Sequence, residues 1–242
     1  GTNAPITAVL TETFPDAVYF RIDDGAWLTM NGGPINWNAD WNTLSYTSGL
    51  HTITVKAVDN AGHSVETSVT VVVDNADPVV SIQTPGDGQY LEGTCTFAVF
   101  ASDDYQVAEV TMTIAGTAYD NITMSYNSAT GLYEYALDTT LLNDGAYLLF
   151  AYADDAAGNE TPTGGLQFYV DNTEPVIQIT SPADGEYVSG TNSPITAVLT
   201  ETFPDAVYFR IDDGAWLAMN GGPINWNADW NTLSYTSGLH TI

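Results

Sequence analysis

The residues of this chain best placed to do chemistry are acids and amides gathered near two short V-D-N-x-[DE]-P segments. Asp74, Asn75 and Asp77 occupy the first, and Asp171, Asn172 and Glu174 the second. An acidic turn precedes each, Asp59 before the first and Asp154 and Asp155 with Asn159 before the second. A further turn follows each, carrying Asp87 or Asp184. Calcium takes about six to eight hard oxygen ligands in a flexible shell, so carboxylates and carbonyls drawn from several chain edges suit it. The pattern predicts Ca2+ at two junctions, where the ion would stiffen the joint. Asp and Asn in such places also shape turns and cap strand ends through short side-chain hydrogen bonds. Residue types alone leave both readings open.

Trp27, Trp37 and Trp41 recur as Trp216, Trp226 and Trp230, set among Asn, Asp and Gly in a mixture that would suit a sugar-stacking platform. Their spacing favours packing. Aligned on Gly49 and Gly145, Trp37 falls opposite Tyr133 and Trp41 opposite Leu137, an every-second-residue apolar strand face. Contact between neighbouring modules or chains is a further use for such aromatic anchors. Asn121-Ile-Thr and Asn159-Glu-Thr match the glycosylation acceptor pattern. Catalysis has little to draw on. His51, His63 and His240 are the only histidines, His240 repeats His51, and P-loop, G-x-S-x-G and H-E-x-x-H patterns are absent. The chain is expected to be no enzyme.

The elements that must position these residues follow from repetition. Residues 190–242 repeat residues 1–53 with two differences, Ala4 against Ser193 and Thr29 against Ala218, so the period is 189 residues. A weaker repeat lies inside it: PVVSIQTPGDGQYLEGT from Pro78 matches PVIQITSPADGEYVSGT from Pro175. The period is thus two related modules of roughly 90–100 residues, a size at which a single core can fold alone. Residues 77–174 form a complete module, residues 1–76 one lacking its first strand, and residues 175–242 the N-terminal part of another. β-branched and aromatic runs at 6–10, 17–22, 51–58, 68–73, 96–101, 109–114, 147–153 and 166–170 alternate with turns such as DDG, NGG and DNAG. That texture predicts an all-β fold of short strands, a β-sandwich in each module.

The strings P-V-[IV]-x-I-x-[TS]-P-x-D-G-x-Y, D-D-G-A-W, W-N-T-L-x-Y-x-x-G-x-H-T-I-T-V-K-A-x-D-N-A-G-H and V-D-N-x-x-P resemble the bacterial and archaeal Ig-like domains strung together in large surface proteins. The resemblance covers essentially the whole chain, and by its pattern the Asp59 turn is expected near the Asp74 junction and the Asp154–Asp155 turn, with Asn159, near the Asp171 junction. It implies tandem Ig-like β-sandwich modules used as spacer, adhesive or filament-building units, and no common ligand, because fold alone does not give function.

Thirty acidic residues face three basic ones, Arg21, Lys56 and Arg210, for a net charge of −27. Such a field keeps modules soluble, disfavours nucleic acid and anionic membranes, and attracts cations. The lone Cys95 offers no intramodule disulfide, so stability must come from the cores. These observations predict an acidic structural protein at the cell surface, a tandem-repeat filament or stalk. Its expected partners are copies of itself or further modules of the same chain, without membrane insertion. The alternative is an adhesin or carbohydrate-binding module that meets glycans through the Trp-rich segment.

Overall fold

The computed structural model describes residues 3–11 and 15–242. Nearly all of its regular structure is β. The N-terminal stretch contains β1 (Ala4–Val9), β2 (Pro15–Ile22), β3 (Leu28–Thr29), β4 (Asn31–Gly32), β5 (Asn36–Trp41), a 3-10 turn over Thr43–Ser45, β6 (Gly49–Asp59) and β7 (Ser64–Val73). There follow β8 (Val79–Thr84), β9 (Gln89–Leu91), β10 (Thr94–Ser102), β11 (Val107–Ile114), β12 (Ile122–Thr123), β13 (Ser125–Asn127) and β14 (Leu132–Asp138). After a second 3-10 turn, Thr139–Leu141, come β15 (Gly145–Asp155), β16 (Glu160–Pro162) and β17 (Leu166–Val170). The last stretch holds β18 (Val176–Ser181), β19 (Ser193–Thr200), β20 (Tyr208–Phe209), β21 (Leu217–Ala218), β22 (Asn220–Gly221), β23 (Asn225–Trp230) and a 3-10 turn over Thr232–Ser234. The β-branched runs of the sequence supply the long strands, as their residue types favour. Among the described residues no helix is long and apolar enough to cross a membrane.

Strands pair in the orders β1-β5-β4, β3-β2-β6-β7, β13-β14-β10-β8, β12-β11-β15-β17-β9, β18-β19-β23-β22 and β20-β21. Two compact units are discontinuous in sequence. One comprises Gly1–Pro85, Phe97–Tyr135 and Leu149–Leu166, the other Gly86–Thr96, Ala136–Leu148 and Gln167–Ile242.

In the first unit, Ile6, Val18, Phe20, Ile22, Met30, Ala39, Trp41, Ile53 and Val73 form one buried cluster. Alternation builds it: on β2 Val18, Phe20 and Ile22 point inward, and on β5 Ala39 and Trp41 do so. The Gly32-Gly33-Pro34 turn places Trp37, because a Cβ on Gly32, whose φ is 137°, would collide with the Asn36 carbonyl oxygen. Trp41, Tyr46 and His51 meet edge-to-face at centroid distances of 5.1, 5.3 and 6.0 Å. His51 sits with Nδ1 2.7 Å from Asp23 Oδ2 and Nε2 2.8 Å from the Thr47 carbonyl oxygen. These bonds to Asp23 and Thr47 raise its pKa above the ordinary 6.5. In the second unit Trp230, Tyr235, His240 and Asp212 repeat the arrangement, beside a cluster built on Ile195, Leu199, Phe209, Trp226 and Trp230.

An asparagine clamp fastens the chain where it leaves the 77–174 stretch. Asn172 Oδ1 accepts from Gly93 N at 2.9 Å and Thr139 Oγ1 at 3.2 Å, while its Nδ2 donates to the Thr139 carbonyl at 3.0 Å. Asn75 holds Thr43 in the same way, accepting from Oγ1 and donating to the carbonyl, both at 3.0 Å. Replacing Asn172 by Ala strips partners from part-buried donors and acceptors, a loss of about 2–3 kcal/mol by the cost of unmet hydrogen bonds. Asn172→Ala should therefore show a correspondingly lower midpoint in chemical denaturation. An unchanged midpoint would mean that solvent replaces the clamp without cost.

Candidate metal centre

Antiparallel pairing returns several chain turns to one place in the first unit. Val79 pairs with Ser102, so the segment before β8 lies beside the loop after β10. Val107 pairs with Asp155, which brings the turn after β15 to the same place, and Ala156 N donates to the Gln106 carbonyl at 3.2 Å. Asp74, Asp103 and Asp104 consequently approach until carboxylate oxygens from all three lie within 4.8 Å of one another. Asp74 Oδ1 accepts from Ala76 N at 3.2 Å, and Asp103 Oδ1 from Tyr105 N and Gln106 N at 3.0 and 3.1 Å. The second oxygen of each, Oδ2, is withdrawn from solvent and has no hydrogen-bond partner.

Asp155 frames this group. Its Oδ1 accepts from Ala157 N and Asn159 N at 2.8 and 2.9 Å, and its Oδ2 from Asn159 Nδ2 at 2.6 Å. Asn159 Nδ2 also donates to the Ala76 carbonyl at 3.0 Å, tying the turn to the linker. Burial disfavours the Asp155 carboxylate, yet the bonds from the Asn159 side chain, Asn159 N and Ala157 N prevail and hold its pKa below the ordinary value. Asp74 behaves oppositely: burial first, then the charges of Asp103, Asp155 and Asp104, push its carboxyl up against the pull of Ala76 N. Withdrawn carboxylate oxygens with like charges around them are costly unless a proton or cation joins them. Two orphaned oxygens and three converging carboxylates fit a hard divalent ion.

A related group occurs in the second unit. Asp171 Oδ1 is withdrawn from solvent without a partner, and burial, then Glu201, Asp144 and Glu92, raise the carboxyl's pKa. Thr200 pairs with Val176 as Ser102 pairs with Val79, so Glu201 stands where Asp103 stands. Glu92, Asp171, Glu174, Glu201 and Asp205 line a cavity of about 560 Å³ there, which Phe203 also lines. Asp144 is engaged elsewhere, its carboxylate accepting from Asn172 N at 2.7 Å.

Of the residues expected from sequence to bind metal, the structure brings Asp74 and Asp155 together, with Asn159 beside them. It assigns the turns differently from expectation. The Asp155 turn serves the linker preceding its own strands rather than Asp171, for the pairing reason just given. Asp59 closes its own turn, Oδ1 accepting from Ala61 N and His63 N at 2.8 Å each and Oδ2 lying 2.9 Å from His63 Nδ1. Asn75 and Asn172 spend both ends of their amides on the clamps. Asp87 accepts from Gln167 N at 3.2 Å, beside the start of β17. Asp154 is half-buried on β15, in register with Glu109 and Glu160, and Asp77, Glu174 and Asp184 are exposed. Sequence reading missed Asp103 and Glu201, which look like ordinary loop acids. Their signal was that both module types place an acid directly after the strand that follows the D-G-x-Y turn.

Trp41, Trp226 and Trp230 are buried and Trp37 is half-buried. Trp27 is half-buried under the Arg21 guanidinium, 4.7 Å from the ring centroid, with Lys56 at 5.7 Å. Trp216 is 61% exposed, with Arg210 at 4.8 Å. Every basic side chain thus lies over a tryptophan face. Asn121 is exposed, whereas the Asn159 amide is committed to Asp155 and Ala76.

The model of the bacterial Ig domain family matches residues 78–151 and 175–242, more than half of the chain, and the chain belongs to that family. The two matches lie in tandem. No curated protein matches the sequence. Among solved structures, the endo-beta-1,4-mannanase from Thermotoga petrophila is similar over 41% of this chain and 21% of its own, with 20% identity and a TM-score of 0.35. The fibronectin(III)-like modules of Clostridium thermocellum CbhA match over 70% of this chain and 86% of theirs, at 17% identity and a TM-score of 0.41. A tetra-tandem repeat from the extending region of a large adhesion protein matches over 95% of this chain and 60% of its own, at 18% identity and a TM-score of 0.37.

With divalent cations chelated, Asp74→Asn should raise the melting temperature at pH 7 by about 2–4 °C, the shift that roughly 1 kcal/mol gives in a chain of this size. The folded pKa of Asp74 lies above its ordinary 3.8, so the carboxyl favours the fold when protonated. The penalty is absent below pH 3.8 and develops as pH rises through the folded pKa, so the advantage of the variant should vanish on acidification. A variant less stable than the native chain at pH 7 in chelator would show that the charge is compensated without an ion.

Proposed function

We propose that this chain is a segment of an extracellular filament or cell-surface stalk, made of tandem Ig-like modules with Ca2+-stiffened junctions. The observation that carries the reading is the pair of withdrawn, unpartnered carboxylate oxygens on Asp74 and Asp103, gathered beside a linker. Asp74, Asp103 and Asp104 would hold the ion, with Asp155 and Asn159 fixing the linker at Ala76. Near-identical repetition over 53 residues supports a structural role, because a repeated element gains from regular joints. The partners of such a segment are further modules of the same kind, and its place is outside the cell, where calcium is plentiful enough for sites of about 10⁻⁴–10⁻³ M affinity.

A second reading is favoured by one observation, the exposure of Trp216 together with Leu217 and Ile224. Such a surface suits an adhesin or carbohydrate-binding module, although a guanidinium lies over the Trp216 face.

Calcium titration tests the first reading. Saturation to about a hundred times Kd should stabilise the fold by about 2.7 kcal/mol, and chelation should reverse the gain. Asp103→Asn should abolish most of the response, while Asp59→Asn should leave it intact. A melting curve indifferent to both calcium and chelator would remove the ion from the reading.

A further inference from the structure

His51 lies buried between two hydrogen-bond acceptors. Its Nδ1 is 2.7 Å from Asp23 Oδ2 and its Nε2 2.8 Å from the Thr47 carbonyl oxygen. A carbonyl oxygen only accepts, and so does an ionised carboxylate, whereas a neutral imidazole carries one N–H and one bare lone pair. Both contacts are hydrogen bonds only when both ring nitrogens carry protons. Asp23 is set up to stay ionised, because its Oδ1 accepts from Thr52 N at 2.8 Å. That bond and the one from His51 hold its carboxyl below the ordinary 3.8. The turn after β2 presents it with φ at 51°, a left-handed conformation that Asp tolerates. The later copy repeats the arrangement: His240 Nδ1 is 2.7 Å from Asp212 Oδ2, and its Nε2 2.7 Å from the Thr236 carbonyl oxygen.

The other module type fills the same place with different chemistry. Ile22 pairs with Ile53 as Ile114 pairs with Leu149, so Tyr147 stands where His51 stands and Ala115 where Asp23 stands. Tyr147 Oη donates to the Asn143 carbonyl at 2.8 Å, four residues back, as His51 Nε2 meets the carbonyl of Thr47. The position is therefore a donor to that carbonyl in both modules. A phenol does this with its own proton and needs no acid beside it, and Ala115 supplies none. An imidazole that spends Nε2–H on the carbonyl must find a second proton for the nitrogen that faces Asp23.

From this geometry we infer that His51 is held as an imidazolium and acts as a proton-operated latch, fastening the turn after β2 to the stretch that enters β6. The module carrying Tyr147 makes the equivalent bond without a titrating ring, so proton-sensitive and proton-insensitive modules alternate along the chain. The latched stretch begins at the 3-10 turn Thr43–Ser45, whose Thr43 is clamped by Asn75 of the linker. Among the described residues, the titratable groups that face the ring are Asp23 and Tyr46, while Trp41 of β5 and Val71, opposite on β7, bear no charge. The bonds to Asp23 and Thr47 place the folded pKa of His51 above 6.5. Its contribution is therefore complete below pH 6.5 and is lost as pH rises through the folded value. A neutral ring then sets a lone pair against one of the two oxygens, and that contact opens. Asp23 sets the lower limit, its share being lost as pH falls through a folded pKa below 3.8. The latch goes beyond the proposed filament role and needs no metal ion.

The test is an NMR titration of the full 242-residue protein, with isotope-labelled histidines and excess chelator. His51→Gln assigns the resonance by removing it. The His51 midpoint should lie above 6.5, and Asp23→Ala should bring it down toward that value. As pH passes the midpoint, the unfolding constant of the native chain should rise relative to that of a variant combining His51→Tyr with Asp23→Ala. The rise should be about tenfold for each unit by which the midpoint exceeds 6.5. A native midpoint at or below 6.5 would overturn the inference, whatever the variants do. A raised midpoint that a folded Asp23→Ala protein retains would overturn it too, since the proton would then be held by something other than the latch.

Discussion

In an antiparallel sheet each strand returns the chain to the end from which the previous one departed. In the first unit, Val79 opposite Ser102 and Val107 opposite Asp155 bring together a linker, the loop after β10 and the turn after β15. In a chain with ten acids for every base, three such segments converge with carboxylates on all of them. The crowding is therefore a product of pairing rather than of local sequence. Its energy falls most heavily on Asp74, which burial and its acidic neighbours deprive of an easy ionised state. Asp155 escapes because hydrogen bonds from its own turn satisfy it. The same physical problem thus has two local outcomes in one place: one carboxylate is compensated by its own turn, the other has its pKa raised toward the protonated form.

The scarcity of cations sharpens this. Arg21 and Lys56 lie over the ring of Trp27 and Arg210 over that of Trp216, and the charges that shift Asp74 and Asp171 are carboxylates. Salt bridges cannot neutralise these groups from within, and the ion pairs present among the described residues use histidine or the single Lys56–Glu66 contact at 3.7 Å. With no base paired to them, Asp74 and Asp171 respond by a raised pKa that favours their protonated forms. Exposed acids elsewhere need no paired base, since water screens them.

Much of the architecture was legible in the sequence because it rests on short-range patterns. β-branched runs mark β2, β6, β7, β10, β11, β15 and β17, and the repeat shows that Asp74 and Asp171 are counterparts. Trp37 and Trp41 lie on an alternating face, as their spacing requires. What was hidden depended on long-range register. Asp103 and Glu201 become equivalent only when Ser102 and Thr200 are seen opposite Val79 and Val176, because the gap-free alignment of the two modules is one residue out there. The Asp155 turn, set beside Asp171 on the pattern of the Ig-like domains the chain resembles, lies instead beside Ala76, because a family pattern does not say which end of the sheet β15 reaches. Asn75 and Asn172 resembled ligands because an amide that clamps a 3-10 turn and one that coordinates calcium look alike in one dimension.

The duplicated 53 residues separate what a sequence does by itself from what its surroundings do for it. Asp23, Thr47 and His51 form the same contacts as Asp212, Thr236 and His240, with ring nitrogens at 2.7–2.8 Å from their partners in both copies. Burial of Ala8 and Leu10 behaves otherwise: they are half-buried, whereas their counterparts Ala197 and Leu199, on the strand beside β18, are buried. The local hydrogen-bonded cluster thus recurs with its sequence, while burial along β1 and β19 differs between the copies.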